Sequence, residues 1–164
     1  MKYMLDVYTV SFFGHRDVYY SKLLESRLED IIFKLIKEHE FVAFLTGYDG
    51  EFDRIATSAV KRAKRNYAQH RCDITWIMPY EKADYTKNQK YYDEFFDYIE
   101  VCAESAAKHP KAAIQARNRH IVDRSDYVVF WIEKEYGGAY QTMKYAKENE
   151  KAMINLAVET AENC

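Results

Sequence analysis

Each of the five glycines in this 164-residue chain, Gly14, Gly47, Gly50, Gly137 and Gly138, follows an apolar, β-branched or aromatic run and precedes a segment of helical period. Glycine thus stands where strands hand over to helices, and that placement restricts the chain to an α/β architecture. In an open α/β sheet, ligands bind outside the carboxyl ends of the strands, where tight turns let backbone amides come close. Pro79, one of two prolines, closes a further apolar run. Four strand ends therefore carry turn chemistry and can lie along one edge.

The periodicities fill in the rest. Lys2 to Phe13 alternates and then runs apolar, as a strand ending at Gly14 does. Between Tyr19 and His39, Leu24, Leu28, Ile31 and Leu35 recur at three and four, one stripe of a long helix. Phe41 to Leu45 is a continuous apolar run, the pattern of a strand covered on both faces. A helix after Gly50 turns Phe52, Ile55, Ala59 and Ala63 inward, and Ile74 to Met78 is a third strand stopped by Pro79. Tyr80 to Asn88 reads as turn, and Tyr92, Phe95, Phe96, Ile99, Cys102 and Ala106 predict an amphipathic helix ending near His109-Pro110. A helix over 111–124, a strand over 127–132, a helix from Gly138 and a strand over 152–156 complete the alternation. With no repeat or linker, residues 1–164 read as a single Rossmann-like domain: a three-layer sandwich with a mostly parallel sheet and right-handed crossovers.

At 19.5 kDa one domain can bury roughly 70% of its unfolded surface, so no metal or disulfide is needed to hold it. Cys72, Cys102 and Cys164 are odd in number, far apart and without metal-ligand spacing; they read as reduced thiols of a cytoplasmic protein, with no metal or resident cofactor expected. No apolar stretch approaches the ~20 residues that cross a bilayer, and no signal-type segment opens the chain, so no membrane partner is expected. A net charge of −2 argues against a nucleic-acid partner, while a homo-oligomer is compatible with everything in the sequence.

The strand-end loops differ in charge. The helix after Gly137-Gly138 starts Ala139-Tyr140-Gln141-Thr142 without an acid, which leaves its amides and partial positive charge for an anion. Gly47-Tyr48-Asp49-Gly50 instead runs into Glu51 and Asp53, which would repel phosphate and suit ribose hydroxyls, an amine or a hydrated cation. Acids there also simply complement the helix dipole, so a structural role stands equally open. Gly14-His15-Arg16 adds a guanidinium fork for phosphate or carboxylate. Arg117 and Asn118 lie on a helix that buries Ile121, facing either the sheet edge or the preceding loop. Five cations between Lys61 and Arg71 read as the solvated face of a helix.

Val10-Ser11-Phe12-Phe13-Gly14-His15-Arg16, Gly47-x-x-Gly50-x-x-Asp53, the strand ending in Pro79, Arg117-Asn118 before Val122-Asp123-x-Ser125-Asp126, and Gly137-Gly138 together resemble the YpsA-like branch of the SLOG superfamily. That Rossmann-like group includes the LOG phosphoribohydrolases and DprA; the resemblance covers about residues 9–147. It implies glycine turns cradling a nucleotide or a nucleotide-derived ligand of the ADP-ribose or NAD-derivative type, held by Gly14, His15, Arg16, Gly47, Gly50, Asp53, Arg117, Asn118, Gly137 and Gly138; Pro79 and Thr142 complete the set of candidate binding residues. Two departures bear on activity. Ala139 replaces the threonine usual in YpsA-like proteins, and Ala139-Tyr140-Gln141-Thr142-Met143 stands where LOG enzymes carry Gly-Thr-x-x-Glu, whose acid serves N-glycosidic cleavage. The expectation is thus a binding protein acting as sensor, carrier or sequestering protein. An N-glycosidase or phosphoribohydrolase with Asp53, Asp49 or Glu51 as its acid is the alternative. Single-strand DNA binding through residues 61–71, by analogy with DprA, stands behind both.

Overall fold

Successive residues of the first strand point to opposite sides of one sheet: Val10 and Phe12 enter one hydrophobic layer, while Phe13 enters the other. The computed structural model, which describes residues 5–158, builds this sheet from six parallel strands. In chain order the elements are β1 (Val7–Gly14), α1 (Lys22–Glu38), β2 (Phe41–Thr46), α2 (Glu51–Tyr67), β3 (Cys72–Met78), α3 (Ala83–Lys87), α4 (Gln89–Phe95), β4 (Tyr98–Val101), α5 (Pro110–Arg124), β5 (Tyr127–Trp131), α6 (Gly138–Glu148) and β6 (Ala152–Asn155). The strand order is β4-β3-β2-β1-β5-β6. The chain therefore winds outward from β1 in one direction, then returns to β1's other side, and β1 and β5 part at the switch point where such sheets bind ligands.

Leu24, Leu28 and Ile32 of α1 and Phe52, Ala56 and Val60 of α2 are fully buried with Val10, Phe12, Phe44 and Trp76 on one face of the sheet. Ile121 and Val122 of α5 and Ala146 of α6 cover Phe13, Leu45, Ile77, Val128 and Phe130 on the other. The expected three-layer α/β sandwich is the architecture found. The first helix begins at Lys22 because the Ser21 hydroxyl caps it, accepting from the Leu24 amide at 3.1 Å. The expected strand start at Lys2 and the third cysteine, Cys164, lie outside the described residues. Cys72 and Cys102 are free thiols.

One expected element is corrected. The helix expected from Tyr92 to Ala106 does not form: α4 ends at Phe95, residues 98–101 become β4 paired with Thr75–Met78, and Cys102 opens a turn. The aromatic residues that suggested a helical stripe instead gather on Trp76, with Tyr92 and Phe96 at ring-centroid distances of 4.9 and 5.4 Å. Asp97 supplies the reason. Its carboxylate accepts from the Ile74 amide at 2.9 Å and from Lys64 at 2.6 Å, and its own amide donates to the Ile74 carbonyl. These bonds break the helix and lead the chain onto β3's outer edge, which would otherwise be left unpaired. The preceding stretch, expected as turn, contains the short helix α3.

Candidate functional site

The carboxyl ends of β1, β2 and β5 open into a cleft of about 580 Å³, within the size range of small-molecule sites. Gly14, His15, Arg16, Gly47, Gly50, Asp53, Arg117, Asn118, Gly137 and Gly138 line it, so ten of the expected site residues converge on one place. Pro79 and Thr142 are outside that lining. The Pro79 carbonyl accepts from the Ser105 hydroxyl at 2.6 Å and braces the turn after β4. Thr142 is buried; its hydroxyl donates to the Gly138 carbonyl and accepts from the Asn118 amide, tying α6 to α5. It thereby acts on the cleft through Asn118 and Gly138.

At the floor, Arg117 is 0% exposed. Its guanidinium donates to the Gly47 and Ile77 carbonyls and to the Asn118 side chain, and it forms an ion pair with Asp49. Glycine is required at position 47 by this packing, because a Cβ there would stand 2.7 Å from the Arg117 Cζ. The left-handed residue of the loop is Tyr48, with φ 53°, whose amide donates to the Thr46 hydroxyl. Asp49 also pairs with Lys82 at 2.8 Å. Burial alone would raise the Asp49 carboxyl, but the cations Arg117 and Lys82 hold it below the usual carboxylate range.

Asp53 behaves in the opposite way. It is 7% exposed, one carboxyl oxygen accepts from the Asp49 amide at 3.0 Å, and the other is buried with no hydrogen-bond partner among the described residues. Burial, with a smaller push from Asp49, raises its pKa to about 7. A carboxyl so placed exchanges its proton near neutrality. At the amino end of α2 beside it, the Glu51 amide is taken up by the Arg16 carbonyl at 2.9 Å, and Glu51 and Asp53 place acid in the first turn.

The amino end of α6 is different. Gly137 caps it with φ 97°, no side chain bonds its first amides, and no acid lies in its first turn. A Cβ on Gly137 would meet nothing within 4 Å, so this end of the helix opens into free space. Arg16, Lys111 and Lys134 line the same cleft. His15 has a task that sequence reasoning did not foresee: its Nε2 accepts from the amides of Glu133 and Lys134, both at 3.1 Å, and so fastens the loop that leads to Gly137. Burial, and then the nearby Lys134 charge, hold its pKa below the ordinary value, consistent with an unprotonated acceptor nitrogen.

Asp17, Lys111, Ile114, Gln115, Lys134 and Tyr136 also line the cleft and were missed. Lys134 and Tyr136 directly precede the paired glycines, and Lys111 opens a helix whose first turn lacks an acid, signals that could have found them. Met143, where LOG enzymes carry an acid, packs against the inner layer of β5 and α5 instead of lining the cleft. The cations between Lys61 and Arg71 lie on the outward face as expected, with Arg65 and Arg71 exposed, and several of them are paired there. Lys61 donates to the Phe95 carbonyl, Lys64 pairs with Asp97, Arg62 with Glu29, and Arg71 donates to two carbonyls at the end of α1. Away from the cleft, Cys102, Glu104 and His120 bring potential ligand atoms within 4.8 Å, which residue spacing did not suggest. The Arg124 guanidinium lies 3.4 Å from the His120 ring there and opposes a bound cation. Among the described residues no helix is long and apolar enough to cross a membrane.

No protein-family model and no curated protein matches the sequence. Solved structures do match. DNA processing protein A (DprA) from Streptococcus pneumoniae superposes with a TM-score of 0.65 at 20% identity, over 89% of this chain and 49% of that one. The molybdenum cofactor binding protein from Rippkaea orientalis gives 0.59 at 17% identity, over 98% and 85% of the two chains. The Moco carrier protein from Chlamydomonas reinhardtii gives 0.57 at 10% identity, over 93% and 77%. This chain shares their fold. It spans about half the length of the DprA structure. Since DprA is among the proteins that its motif order resembles, the fold implied by the SLOG resemblance is the fold found.

Proposed function

We propose that the cleft binds a nucleotide or a nucleotide-derived small molecule of the ADP-ribose or NAD-derivative type, and that the protein serves as sensor, carrier or sequestering protein. One observation carries the reading: the uncapped, acid-free amino end of α6 opens into a cleft that Arg16, Lys111 and Lys134 also line. A phosphate group placed there meets free amides, the helix dipole and charge-assisted donors together. Asp53, on the α2 side of the same cleft, suits sugar hydroxyls, and two proteins of the same fold are a molybdenum cofactor binding protein and a Moco carrier protein. Thermal-shift measurements against nucleotides, NAD, ADP-ribose and cyclic derivatives test the proposal. A ligand at 100 times its Kd adds ~2.7 kcal/mol of stability, a rise of roughly 5–10 °C for a domain of this size. No rise with any member of the panel at millimolar concentration would sink it.

Asp53 favours a second reading. A buried carboxyl with a pKa of about 7, in a cleft that suits a sugar phosphate, is fitted to general acid or base work in N-glycosidic cleavage. Release of free base from nucleoside monophosphates or NAD, abolished in Asp53→Asn, would establish it. Absence of base after long incubation would leave binding as the function.

A further inference from the structure

Beyond the phosphate and sugar contacts, we propose that Tyr136 is a stacking platform for a planar heterocyclic ring of the ligand; this rests on the binding reading above. Tyr136 is 64% exposed and lines the cleft, whereas the other aromatic residue of the lining, Phe13, is buried. Its hydroxyl makes no hydrogen bond among the described residues, so no polar bond of its own turns the ring away from the cleft. The Lys134 ammonium lies 5.7 Å from the ring centroid.

The ring also stands on a braced support. His15 holds the amides of Glu133 and Lys134, and the Asn155 side chain holds both the amide and the carbonyl of Ile132. A platform needs such bracing, because a ring on a loose loop would be ordered only at the expense of the stacking it provides. Position completes the argument. Tyr136 directly precedes Gly137, the cap of α6, so a ligand with phosphate on the α6 amides has its neighbouring group within reach of the ring. Every nucleobase has a π-face, so such a platform recognises planarity and tolerates changes of base.

The test compares AMP, GMP, CMP and UMP with ribose 5-phosphate by calorimetric titration of the wild-type protein, Tyr136→Phe and Tyr136→Ala. The wild type and Tyr136→Phe are expected to bind nucleoside monophosphates at least fivefold more tightly than ribose 5-phosphate. Tyr136→Ala is expected to lose that excess while its affinity for ribose 5-phosphate stays unchanged. Because the ring is exposed, the alanine variant keeps the wild-type Tm, which confirms that it is folded. Ribose 5-phosphate binding without preference for any nucleotide, or an excess that survives in Tyr136→Ala, overturns the platform and leaves the binding site standing. Equal loss of nucleotide and ribose 5-phosphate in Tyr136→Ala also overturns it, since the ring would then hold the sugar phosphate. Binding of neither class of probe, nor of NAD or ADP-ribose titrated alongside them, overturns both proposals.

Discussion

Two side chains of the cleft titrate in opposite senses. Asp53 has a folded pKa raised to about 7 from an ordinary 3.8, so the native state holds its proton more firmly than the unfolded chain does. Its contribution is complete below about pH 4 and is lost as pH rises through 7. Asp53→Asn keeps the neutral form at every pH; it is expected to melt above the wild type at pH 8, with the gap narrowing as pH falls below 7 and closing near pH 4, as thermal unfolding across that range would show. His15 is the reverse case, because its pKa is lowered and protonation would remove the acceptor that holds Glu133 and Lys134. Its contribution is present above pH 6.5 and fails as pH drops through the lowered value. The protection factors of the Glu133 and Lys134 amides, exchange measured relative to the intrinsic rate at each pH, are expected to fall upon acidification and to be low at all pH values in His15→Ala. Arg117 gives a third prediction at this scale. Arg117→Ala leaves the Ile77 carbonyl without its side-chain donor, the Gly47 carbonyl with the Trp76 indole N–H alone and Asp49 with Lys82 alone, an expected loss of about 3–5 kcal/mol in urea unfolding.

Among the elements, legibility followed the source of the stabilising contact. The strands β1, β2, β3 and β5 were readable because burial on both faces writes itself as apolar runs, and α1 and α2 because their stripes recur at three and four. Residues 92–106 were not. Their aromatic spacing fits a helix, and what decides the conformation is Asp97, whose partners Ile74 and Lys64 are distant in sequence. The cations of α2 were legible as an outward face, but their acceptors, Glu29 on α1, Phe95 at the end of α4 and Asp97 just before β4, are distant in sequence and were not. Asp97→Ala is accordingly expected to lower stability by about 1–3 kcal/mol and to speed amide exchange in β4 ahead of the central strands. Protection of β4 that is unchanged in this variant would show that the aromatic cluster, and not the carboxylate, holds the edge.

For the molecule as a whole, the switch point between β1 and β5 explains why glycine turns far apart in sequence meet in one cleft. Turn chemistry at strand ends was enough to find the β1, β2 and β5 loops. It misplaced Pro79, because β3 lies two strands away from the switch point. Residues brought in by α5, such as Lys111 and Gln115, depended on how a helix packs over the sheet, which no local pattern records. The pairing of Lys61 with the Phe95 carbonyl and of Lys64 with Asp97 also sets a whole-molecule expectation. Joint neutralisation of Lys61 and Lys64 should lower the melting temperature, and a gel shift with single-stranded DNA should be no stronger in the wild type than in that variant. Clear salt-dependent retention of DNA by the wild type alone would restore nucleic acid as a partner.

The imidazole of His15 joins β1's loop to the one after β5. The two banks of the crevice are thus stitched together by one side chain that is not part of the sheet's own ladder. The width of the entrance can consequently be retuned by exchanging that stitch or the few residues it secures, while the layered interior beneath stays as it is. Change confined to so small a seam reshapes the opening without disturbing the core.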